Sequence, residues 1–345
     1  MNRLLADSSV GASEILIGAS LERIKDEIDL TRSVVITDKT IRRLHGRLFS
    51  NVPVIEMGSG EDAKNLKTAE NIYRRLLEMG VDRSTCVWGI GGGIVCDVTG
   101  FVASTFMRGL RFGFVPTTLL AQIDAGIGGK NGVNLDGYKN IVGTFRQPQR
   151  VLINFDLLQT LPGREVLCGL SEIVKAALIK SSSLFNFLEN EWPALRSLEG
   201  WAIAQAVLAA IRIKTAVVRK DAEESRERKK LNFGHTLGHA IEKTTGVSHG
   251  AAVAEGMAFA VGLSVTKGLL AEKDAGRISR MLKKLRSLSR TRLSPEILIE
   301  AIHKDKKRRG QDIDVILLEK IGKARIVTMS FHELEKFIHD LRQHR

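Results

Sequence analysis

The sequence predicts an α/β protein in which a parallel-sheet domain is followed by a mainly α-helical domain. In the first half of the chain, short apolar runs alternate with segments of helical period, whereas long helical patterns dominate after about Leu157. The 345 residues are enough for roughly two domains of ~150 residues each. We therefore expect an α/β domain over residues 1–157 and a helical domain over residues 158–345.

The first half contains the parts of βαβ units. Ser33–Asp38 is a β-branched run that ends in a polar turn, and Val52–Met57 is a second strand candidate. Thr68–Met79 has apolar residues at helical spacing and is followed by Gly80, a favourable helix C-cap. Cys86–Ile90 is apolar again and leads into three glycines. This order of strand, helix and strand predicts a parallel sheet.

The second half is expected to be mostly helical, with strands only at 314–318 and 324–329. The predicted helices cover residues 163–180, 184–191, 200–221, 231–245, 251–271, 276–287 and 331–341. Neither long repeats nor low-complexity linkers are visible, which favours two domains that pack on each other.

The net charge of +13 favours an anionic partner, which leaves nucleic acid, a membrane surface or a phosphorylated substrate. No stretch of about 18 apolar residues is present, so we expect no membrane span. The chain has no recognised nucleic-acid motif and only 5% aromatic residues for base stacking. Three widely spaced cysteines without a CxxC pair are typical of a reduced, cytoplasmic protein. A small phosphorylated substrate is the remaining expectation.

A glycine-rich turn indicates a phosphate site in the first half. The segment GIGGGIVCD, residues 89–97, follows a predicted strand and begins a helix, so backbone N–H groups can approach a phosphate. It matches neither GxGxxG nor a Walker A loop, and the alternative is a tight turn without a ligand. Asp38, the polar loop 60–64 and Thr117-Thr118 also follow apolar runs. Ligands of open α/β sheets bind at such strand ends.

Histidines and a glutamate in the second half indicate a metal site. His235 and His239 are four residues apart on a predicted helix and therefore share a face. Glu172, His235 and His249 would form a His₂Glu set, which is typical of catalytic zinc. The alternative is a group of ordinary polar histidines. Lys175 lies one helical turn after Glu172 and should share its face.

A second polar group lies near glycine turns in the first half. Asp124 and Lys130 belong to the segment AQIDAGIGGK, and Lys139-Asn140 follows Gly137. Two lysines beside flexible turns suit a phosphate or a carboxylate, and the alternative is an ordinary exposed loop.

Together these segments resemble the 3-dehydroquinate synthase family over roughly residues 31–330. The segments that carry the resemblance are GGGIVCDVTGF (91–101), MRG (107–109), VPTTLLAQIDAGIGGKNGVN (115–134), YKNIVGTFRQP (138–148), LSEIVKAALI (170–179), LNFGHTLGHAIE (231–242) and HG (249–250). Order, spacing and residue types all agree, so the resemblance is more specific than any single motif.

The resemblance implies a Rossmann-like NAD-binding domain and a helical, metal-binding domain, with the active site in the cleft between them. It implies one divalent metal, zinc or cobalt, held by Glu172, His235 and His249. Ten positions match residues that contact NAD in the family: Asp38, Glu61, Lys64, Gly92, Gly93, Asp97, Thr117, Thr118, Lys139 and Thr160.

The resemblance also assigns substrate and catalytic roles. The substrate pocket would contain Arg108, Lys130, Asn140, Lys214, Arg228, Asn232, His239 and Lys307. The catalytic groups would be Lys175, His239, Lys130, Lys214 and Asp124. Arg108 matches an arginine that family members insert into the neighbouring subunit, which implies a homodimer.

The implied reaction converts 3-deoxy-D-arabino-heptulosonate 7-phosphate to 3-dehydroquinate and phosphate. NAD would take a hydride, phosphate would be eliminated, the hydride would return, and an aldol step would close the carbocycle after ring opening. NAD is regenerated in each turnover, so no net redox change is expected.

Four departures from the family pattern leave alternatives open. Cys96 replaces a glycine and could crowd the dinucleotide, Ala251 replaces a glutamate beside His249, and Ala222 and Arg226 replace an acidic residue and a glycine. The alternatives are another sugar phosphate cyclase, of the amino-dehydroquinate, deoxy-scyllo-inosose or valiolone type, a metal-dependent polyol dehydrogenase, and a non-catalytic nucleic-acid-binding protein. Arg228 favours a substrate that carries a carboxylate.

Overall fold

The computed structural model describes residues 1–28, 32–285, 299, 308–309 and 312–343. The chain forms two compact units. The first unit contains residues 1–162 and 197–223, and the second contains residues 163–196 and 224–345. The chain therefore leaves the first unit after residue 162 and contributes residues 163–196 to the second unit. It then returns to the first unit for residues 197–223 before it enters the second unit again. The predicted boundary at residue 157 stays a prediction.

The first unit is built on a parallel sheet. Its strands are β1 (Asn2–Ser8), β2 (Gly11–Ile17), β3 (Ser33–Asp38), β4 (Val54–Met57), β5 (Cys86–Gly91), β6 (Arg111–Pro116), β7 (Lys130–Leu135), β8 (Tyr138–Phe145) and β9 (Arg150–Ile153). Seven of them form one sheet in the order β1-β2-β9-β6-β5-β3-β4, in which only the β1–β2 pair is antiparallel. Strands β7 and β8 form a separate antiparallel hairpin.

The strand order reverses at β3, because β4 lies on one side of it and β5 on the other. Such a reversal opens a crevice at the carboxyl ends of the strands, where open α/β sheets bind ligands. The strands themselves are buried on both faces, as Val35, Ile36, Ile90 and Val115 are all fully buried. This burial explains why they are almost continuously apolar in the sequence.

Helices cover the sheet and make up most of the second unit. They are α1 (Leu21–Glu27), α2 (Lys39–His45), α3 (Leu66–Glu78), α4 (Gly93–Thr105), α5 (Gly163–Lys180), α6 (Ser182–Asn190), α7 (Trp192–Arg196), α8 (Gly200–Lys220), α9 (His235–Thr245), α10 (His249–Thr266), α11 (Glu272–Leu285) and α12 (Phe331–Gln343). Helix α3 illustrates how the local sequence forms these helices. The Asn65 side chain caps its first turn, and Ala69, Ile72 and Leu76 form its buried face.

In the second unit, α9 and α10 pack against a small antiparallel sheet. The strands are β10 (Arg308–Arg309), β11 (Asp312–Lys320) and β12 (Lys323–Ser330). Leu237 and Ile241 of α9, Leu263 of α10, and Ile313 and Leu317 of β11 belong to one buried apolar cluster. This cluster fixes α9 and α10, which carry two of the three predicted metal ligands.

Helix α8 is the one described helix that is long and apolar enough to cross a membrane by length and composition alone. In the first unit it packs against β1 and the turn at 121–125, and 56% of its most apolar window is buried. Residues such as Ile203, Val207 and Ile211 lie in the core of this unit. Packing inside the first unit accounts for its apolar composition.

The fold class predicted from the sequence is confirmed, and so are the strands at 33–38, 86–90, 314–318 and 324–329. Three helix boundaries are wrong by four residues or more, and one of them is the start of the helix expected from residue 276, which begins at Glu272. The helix expected from residue 231 begins at His235, because residues 227–232 form a 3₁₀ turn and Gly234 has a left-handed φ of 79°. The helix expected to reach residue 271 ends at Thr266, before Gly268 with a φ of 66°.

Candidate active site

Three side chains of the second unit form a group that could hold a metal ion. Glu172 lies in the middle of α5, whereas His235 and His249 are the first residues of α9 and α10. One ligand atom from each lies within 4.8 Å of the other two. The Nε2 atoms of both histidines are 3.5 Å from Oε1 of Glu172. The structure thus brings the three predicted ligands together.

The donor atoms fit a divalent cation. Oε1 of Glu172 is buried and has no hydrogen-bond partner within the described part of the chain, although an unsatisfied buried carboxylate oxygen is costly. Ligand atoms at about 2.0–2.2 Å from a tetrahedral zinc lie about 3.4 Å apart, close to the 3.5 Å observed here. Two imidazoles and one carboxylate suit zinc or cobalt and leave a position open for a substrate.

Both histidines are held through their second ring nitrogen. Nδ1 of His235 is 3.2 Å from the carbonyl oxygen of Phe233, and Nδ1 of His249 is 3.2 Å from Oε2 of Glu242. A hydrogen bond donated by Nδ1 leaves the lone pair on Nε2, the atom that faces Glu172. Glu242 did not emerge from the sequence, although it follows His235 by seven residues, or two helical turns.

The charges of this group are strongly coupled. Burial raises the pKa of Glu172, but the Lys175 ammonium and His249 outweigh it and hold that pKa at about 2. Burial lowers the pKa of His249, but the carboxylates of Glu172 and Glu242 raise it to about 10. Without a cation the carboxylate is therefore ionised and His249 is protonated, so a metal must displace a proton from His249.

Close helix packing brings these ligands together, and glycines permit it. A Cβ atom at Gly250 would lie 2.4 Å from the Cα atom of Cys168 on α5. A Cβ atom at Gly256 would lie 1.9 Å from the carbonyl oxygen of Gly234 before α9. The Ser171 hydroxyl also donates to the Gly250 carbonyl over 3.0 Å, which joins α10 to α5 beside Glu172.

Four other predicted residues of the second unit can be located. Lys175 is buried and pairs with Glu172, and the His239 ring centroid is 5.2 Å from that of His235. Arg228 is only 2% exposed, in the 3₁₀ turn before Asn232. The Asn232 amide donates to the carboxylate of Glu224, a partner that the sequence analysis missed. Lys307 lies outside the described residues.

The glycine-rich turn lies at the carboxyl end of β5, next to the reversal in strand order. Gly92 is the N-cap of α4 and Gly93 is its first residue, and no side chain caps this helix. Its free N–H groups can therefore receive a phosphate. Asp38 ends the neighbouring strand β3, and its Oδ1 accepts a hydrogen bond from the Ile41 amide over 3.0 Å.

A buried hydroxyl at this edge fits a bound dinucleotide. Thr117 is only 2% exposed, and its Oγ1 has no hydrogen-bond partner among the described residues. Its backbone amide donates to the Gly91 carbonyl over 2.9 Å, which places it beside the glycine turn. The Thr118 hydroxyl has a structural role, because it accepts from the Ala121 amide over 3.1 Å.

The loop after β4 contributes an ion pair to the first unit. The ammonium of Lys64, which is 5% exposed, is 2.5 Å from Oδ2 of Asp97 on α4. Burial raises the pKa of Asp97, and the charge of Lys64 opposes this rise. Glu61 accepts a hydrogen bond from the Asn134 amide over 2.7 Å, a partner absent from the sequence prediction.

The remaining cofactor candidates differ in exposure. Lys139 lies exposed on β8, and the Thr160 hydroxyl is 3.1 Å from Nε2 of His45.

Cys96, which replaces a glycine of the family pattern, is fully buried on α4 with its Sγ 4.0 Å from the Gly91 carbonyl. The thiol therefore packs behind the glycine turn and offers no surface that would crowd a dinucleotide.

Two predicted substrate-site groups of the first unit pair with each other. Lys214 on α8 donates to the backbone carbonyl of Asp124 over 2.6 Å and also contacts the Asp124 carboxylate. Lys130 is exposed at the start of β7, and Asn140 on β8 has a left-handed φ of 51°. Left-handed backbone at a residue other than glycine is uncommon and clusters at functional sites.

Arg108 lies on a strained turn after α4. Met107 and Arg108 both have left-handed φ angles, 51° and 64°, and Gly109 follows with a φ of 119°. Both Met107 and Arg108 are exposed. The turn therefore projects an arginine away from the body of the first unit at some cost in backbone strain.

The chain is similar to known proteins over most of its length. Residues 54–168 match the model of the 3-dehydroquinate synthase N-terminal domain, and residues 169–308 match that of the C-terminal domain. A 3-dehydroquinate synthase from Pelotomaculum thermopropionicum is 42% identical over 304 residues, which cover 84% of this chain and 82% of that protein.

Two solved structures have the same fold. A 2-deoxy-scyllo-inosose synthase complexed with carbaglucose-6-phosphate, NAD⁺ and Co²⁺ is 26% identical, with a TM-score of 0.87 over 98% of this chain and 99% of that one. A 2-epi-5-epi-valiolone synthase from Streptomyces hygroscopicus subsp. jinggangensis with NAD⁺ and Zn²⁺ is 27% identical, with a TM-score of 0.87 over 96% of this chain and 97% of that one. By its matches to both domains and to this relative, the chain belongs to the 3-dehydroquinate synthase family.

Proposed function

We propose that this chain is a 3-dehydroquinate synthase, a phosphate-eliminating lyase that converts 3-deoxy-D-arabino-heptulosonate 7-phosphate to 3-dehydroquinate and phosphate. The observation that carries the proposal is the 42% identity to a 3-dehydroquinate synthase over 84% of the chain. Cyclases with the same fold but other products are only 26–27% identical. Identity therefore favours the carboxylate-bearing substrate over the other sugar phosphates.

NAD would bind at the carboxyl edge of the first unit's sheet. The N–H groups at Gly92-Gly93 would receive the pyrophosphate, and the unpartnered Thr117 hydroxyl and the Asp38 carboxylate would fix the remainder. Bound NAD supplies a hydride acceptor that returns its hydride later in the same turnover. The residues on this edge hold and orient the dinucleotide.

Glu172, His235 and His249 would hold the divalent metal, which supplies a Lewis acid that lowers the pKa of a substrate hydroxyl. Lys175 and His239 are then the proton-handling groups of the second unit. Lys175 is buried against Glu172, and the His239 imidazole is exposed beside His235. A buried ammonium and an exposed imidazole can hold and move protons at the oxygens of the reacting sugar.

The basic residues would hold the two anionic ends of the substrate and keep its reacting carbons aligned. Arg228 is buried in the 3₁₀ turn that ends with Asn232, and these two residues are our candidates for the substrate carboxylate. Lys130, Asn140, Lys214 and Lys307 are the candidates for the rest of the pocket. Lys214 pairs with Asp124, which orients its ammonium.

The enzyme would act as a cytoplasmic homodimer. The support for a dimer is the strained, exposed turn that carries Arg108, because an arginine held outside its own unit can enter the site of a second copy. An Arg108→Ala variant mixed with a His235→Ala variant tests this proposal. Recovery of activity on mixing indicates a shared site, and two inactive variants that stay inactive on mixing contradict it.

The activity test supplies metal-loaded protein with the heptulosonate 7-phosphate and catalytic NAD⁺, and measures phosphate release and the carbocyclic product by mass. We expect one phosphate per dehydroquinate without accumulation of NADH. His235→Ala should abolish turnover. His332→Ala, which changes an exposed histidine of α12, is the matched control and should retain it.

Other outcomes separate the alternatives. If phosphate is released only from an amino-substituted analogue or from glucose 6-phosphate, the chain is another sugar phosphate cyclase. Stoichiometric NADH from a polyol indicates a dehydrogenase. If none of these substrates is converted and the protein binds nucleic acid, the chain is a non-catalytic nucleic-acid-binding protein.

A further inference from the structure

We infer that Glu242 is a positioning residue of the metal site, which holds His249 in the tautomer and orientation that bind the metal. The inference deepens the proposed function, because it concerns the metal group on which that function depends. Glu242 lies on α9 and has no place in the ligand set or in the predicted substrate pocket.

The geometry places His249 between two carboxylates. Its Nδ1 is 3.2 Å from Oε2 of Glu242, and its Nε2 is 3.5 Å from Oε1 of Glu172. A carboxylate beside Nδ1 accepts a hydrogen bond from the Nδ1–H group, which keeps the proton on Nδ1 and leaves the lone pair on Nε2, directed at the metal group. The Glu242 side chain is 19% exposed, so this hydrogen bond is partly shielded from water.

His249 has a greater need of such a partner than the other ligands. Its side chain is 26% exposed, compared with 9% for His235 and 2% for Glu172. Packing restricts His235, and a backbone carbonyl accepts from its Nδ1. The residues that follow His249, Gly250 and Ala251, have no polar side chain, and the observed partner of its Nδ1 comes from helix α9.

Helix α9 therefore fixes two of the three ligands. It provides His235 at its first residue, and two turns later it provides the carboxylate that holds His249 on α10. The negative charge of Glu242 also makes the imidazole of His249 a stronger donor to a cation than a neutral partner would. A neutral carbonyl, as at His235, orients the ring without this charge effect.

A competing explanation predicts the opposite result. If the contact between Glu242 and His249 instead favours the protonated imidazole, with which a metal at Nε2 must compete, removal of the carboxylate should leave metal affinity unchanged or increase it. If Glu242 positions His249, its removal should weaken metal binding. The sign of the change in affinity therefore separates the two explanations.

The experiment measures the affinity of full-length Glu242→Gln and Glu242→Ala for Zn²⁺ by competition with a chelator, without substrate. Loss of such a carboxylate partner typically weakens metal binding about 10–100-fold. We expect the alanine variant near the upper end of this range. Glutamine keeps an oxygen that can accept from Nδ1, so we expect that variant near the lower end.

The control is Glu189→Gln, which removes a carboxylate that pairs with Arg277 in the same unit, and its zinc affinity should equal that of the wild type. The visible spectrum of the Co²⁺ form gives a second readout, and the Glu242 variants should change its band positions or intensities. Circular dichroism checks that the isosteric glutamine variant is folded.

Unchanged or tighter zinc binding in both Glu242 variants would overturn the inference, as would a wild type that binds no metal. Failure of the proposed function is a separate result. It would appear as a wild type that binds zinc normally and releases no phosphate from the heptulosonate.

Discussion

The two ligand-binding regions of this molecule are built in different ways. At the sheet edge of the first unit, the candidate groups are backbone amides, a hydroxyl and the ends of neighbouring strands, such as Gly92, Thr117 and Asp38. In the second unit, the metal group consists of charged or ionisable side chains from three helices. The first region follows from the topology of a sheet, whereas the second requires charged groups to be buried together.

This difference predicts how each region responds to substitution. Removal of a group from the sheet edge should weaken a ligand and leave the fold intact, because the strands remain paired. Removal of a charge from the metal group should damage both binding and stability, because a buried partner loses its counter-charge.

The largest effect is expected for Glu172→Ala. It removes a metal ligand and leaves the buried ammonium of Lys175 without its carboxylate, which typically costs about 3–5 kcal/mol. Urea unfolding without metal should show this loss. The double variant Glu172→Ala/Lys175→Met should recover much of the stability but none of the zinc binding. Equal unfolding midpoints for the single and double variants would show that Lys175 does not depend on Glu172.

A smaller but still large effect is expected for Gly256→Ala. Its new Cβ atom would lie 1.9 Å from the Gly234 carbonyl, so α9 and α10 must move apart, at a cost of about 1–3 kcal/mol. Zinc affinity and stability should both decrease, since these helices carry His235 and His249. Gly276→Ala on α11 is the matched control. Its nearest neighbour would be the end of the Arg280 side chain at 3.8 Å, and we expect no loss. Zinc binding that survives Gly256→Ala unchanged would contradict the packing argument.

The metal region should also respond to pH. The pKa of His249 is raised to about 10 without a cation, so binding displaces a proton. Zinc affinity should therefore rise with pH by up to about tenfold per unit between pH 6 and pH 8.

The stability of the fold should depend on pH as well. The pKa of Glu172 is lowered from 4.5 to about 2, so its contribution to stability is present above pH 4.5 and is lost as pH falls towards 2. Chelator competition and urea unfolding across pH measure the two effects, and a pH-independent affinity would refute the first.

The smallest effect on the fold is expected for Thr117→Val. Valine has the shape of threonine, and the hydroxyl that it removes has no partner among the described residues. Stability should be unchanged or slightly higher, while NAD affinity should fall by the loss of one hydrogen bond, about 1 kcal/mol. Thr105→Val, which removes a hydroxyl bonded to Tyr73, is a control that should leave NAD affinity unchanged. Calorimetric titration with NAD⁺ measures the difference, and equal affinities would contradict the dinucleotide site at this edge.

The sequence was sufficient to predict the elements of the sheet edge and to propose the group of three candidate metal ligands that the structure brings together, because most of these residues stand in a local pattern. Asp38 ends a strand, the three glycines open a helix, and His235 begins an amphipathic helix. Contacts between side chains that carry no such pattern were not predicted. Lys214 and Asp124 are 90 residues apart, and their contact depends on α8 packing in the first unit.

Other features were missed because they depend on packing or on weak local signals. Glu242 meets His249 only because glycines let α9 and α10 approach closely. Strand β1 is exposed at most of its residues, so it lacks the apolar run that identified β3 and β5. The start of α9 was misplaced because the left-handed Gly234 interrupts an apolar pattern that continues across it.

The path of the chain between the two units has a consequence for synthesis. The first unit needs residues 197–223 in addition to residues 1–162, and the intervening segment 163–196 belongs to the second unit. On the ribosome, the first unit cannot be completed until α8 has emerged, by which time α5 with Glu172 is already outside. A fragment cut at residue 162 would lack α8 and Lys214. The order of translation therefore links the assembly of the sheet domain to the arrival of the first metal ligand.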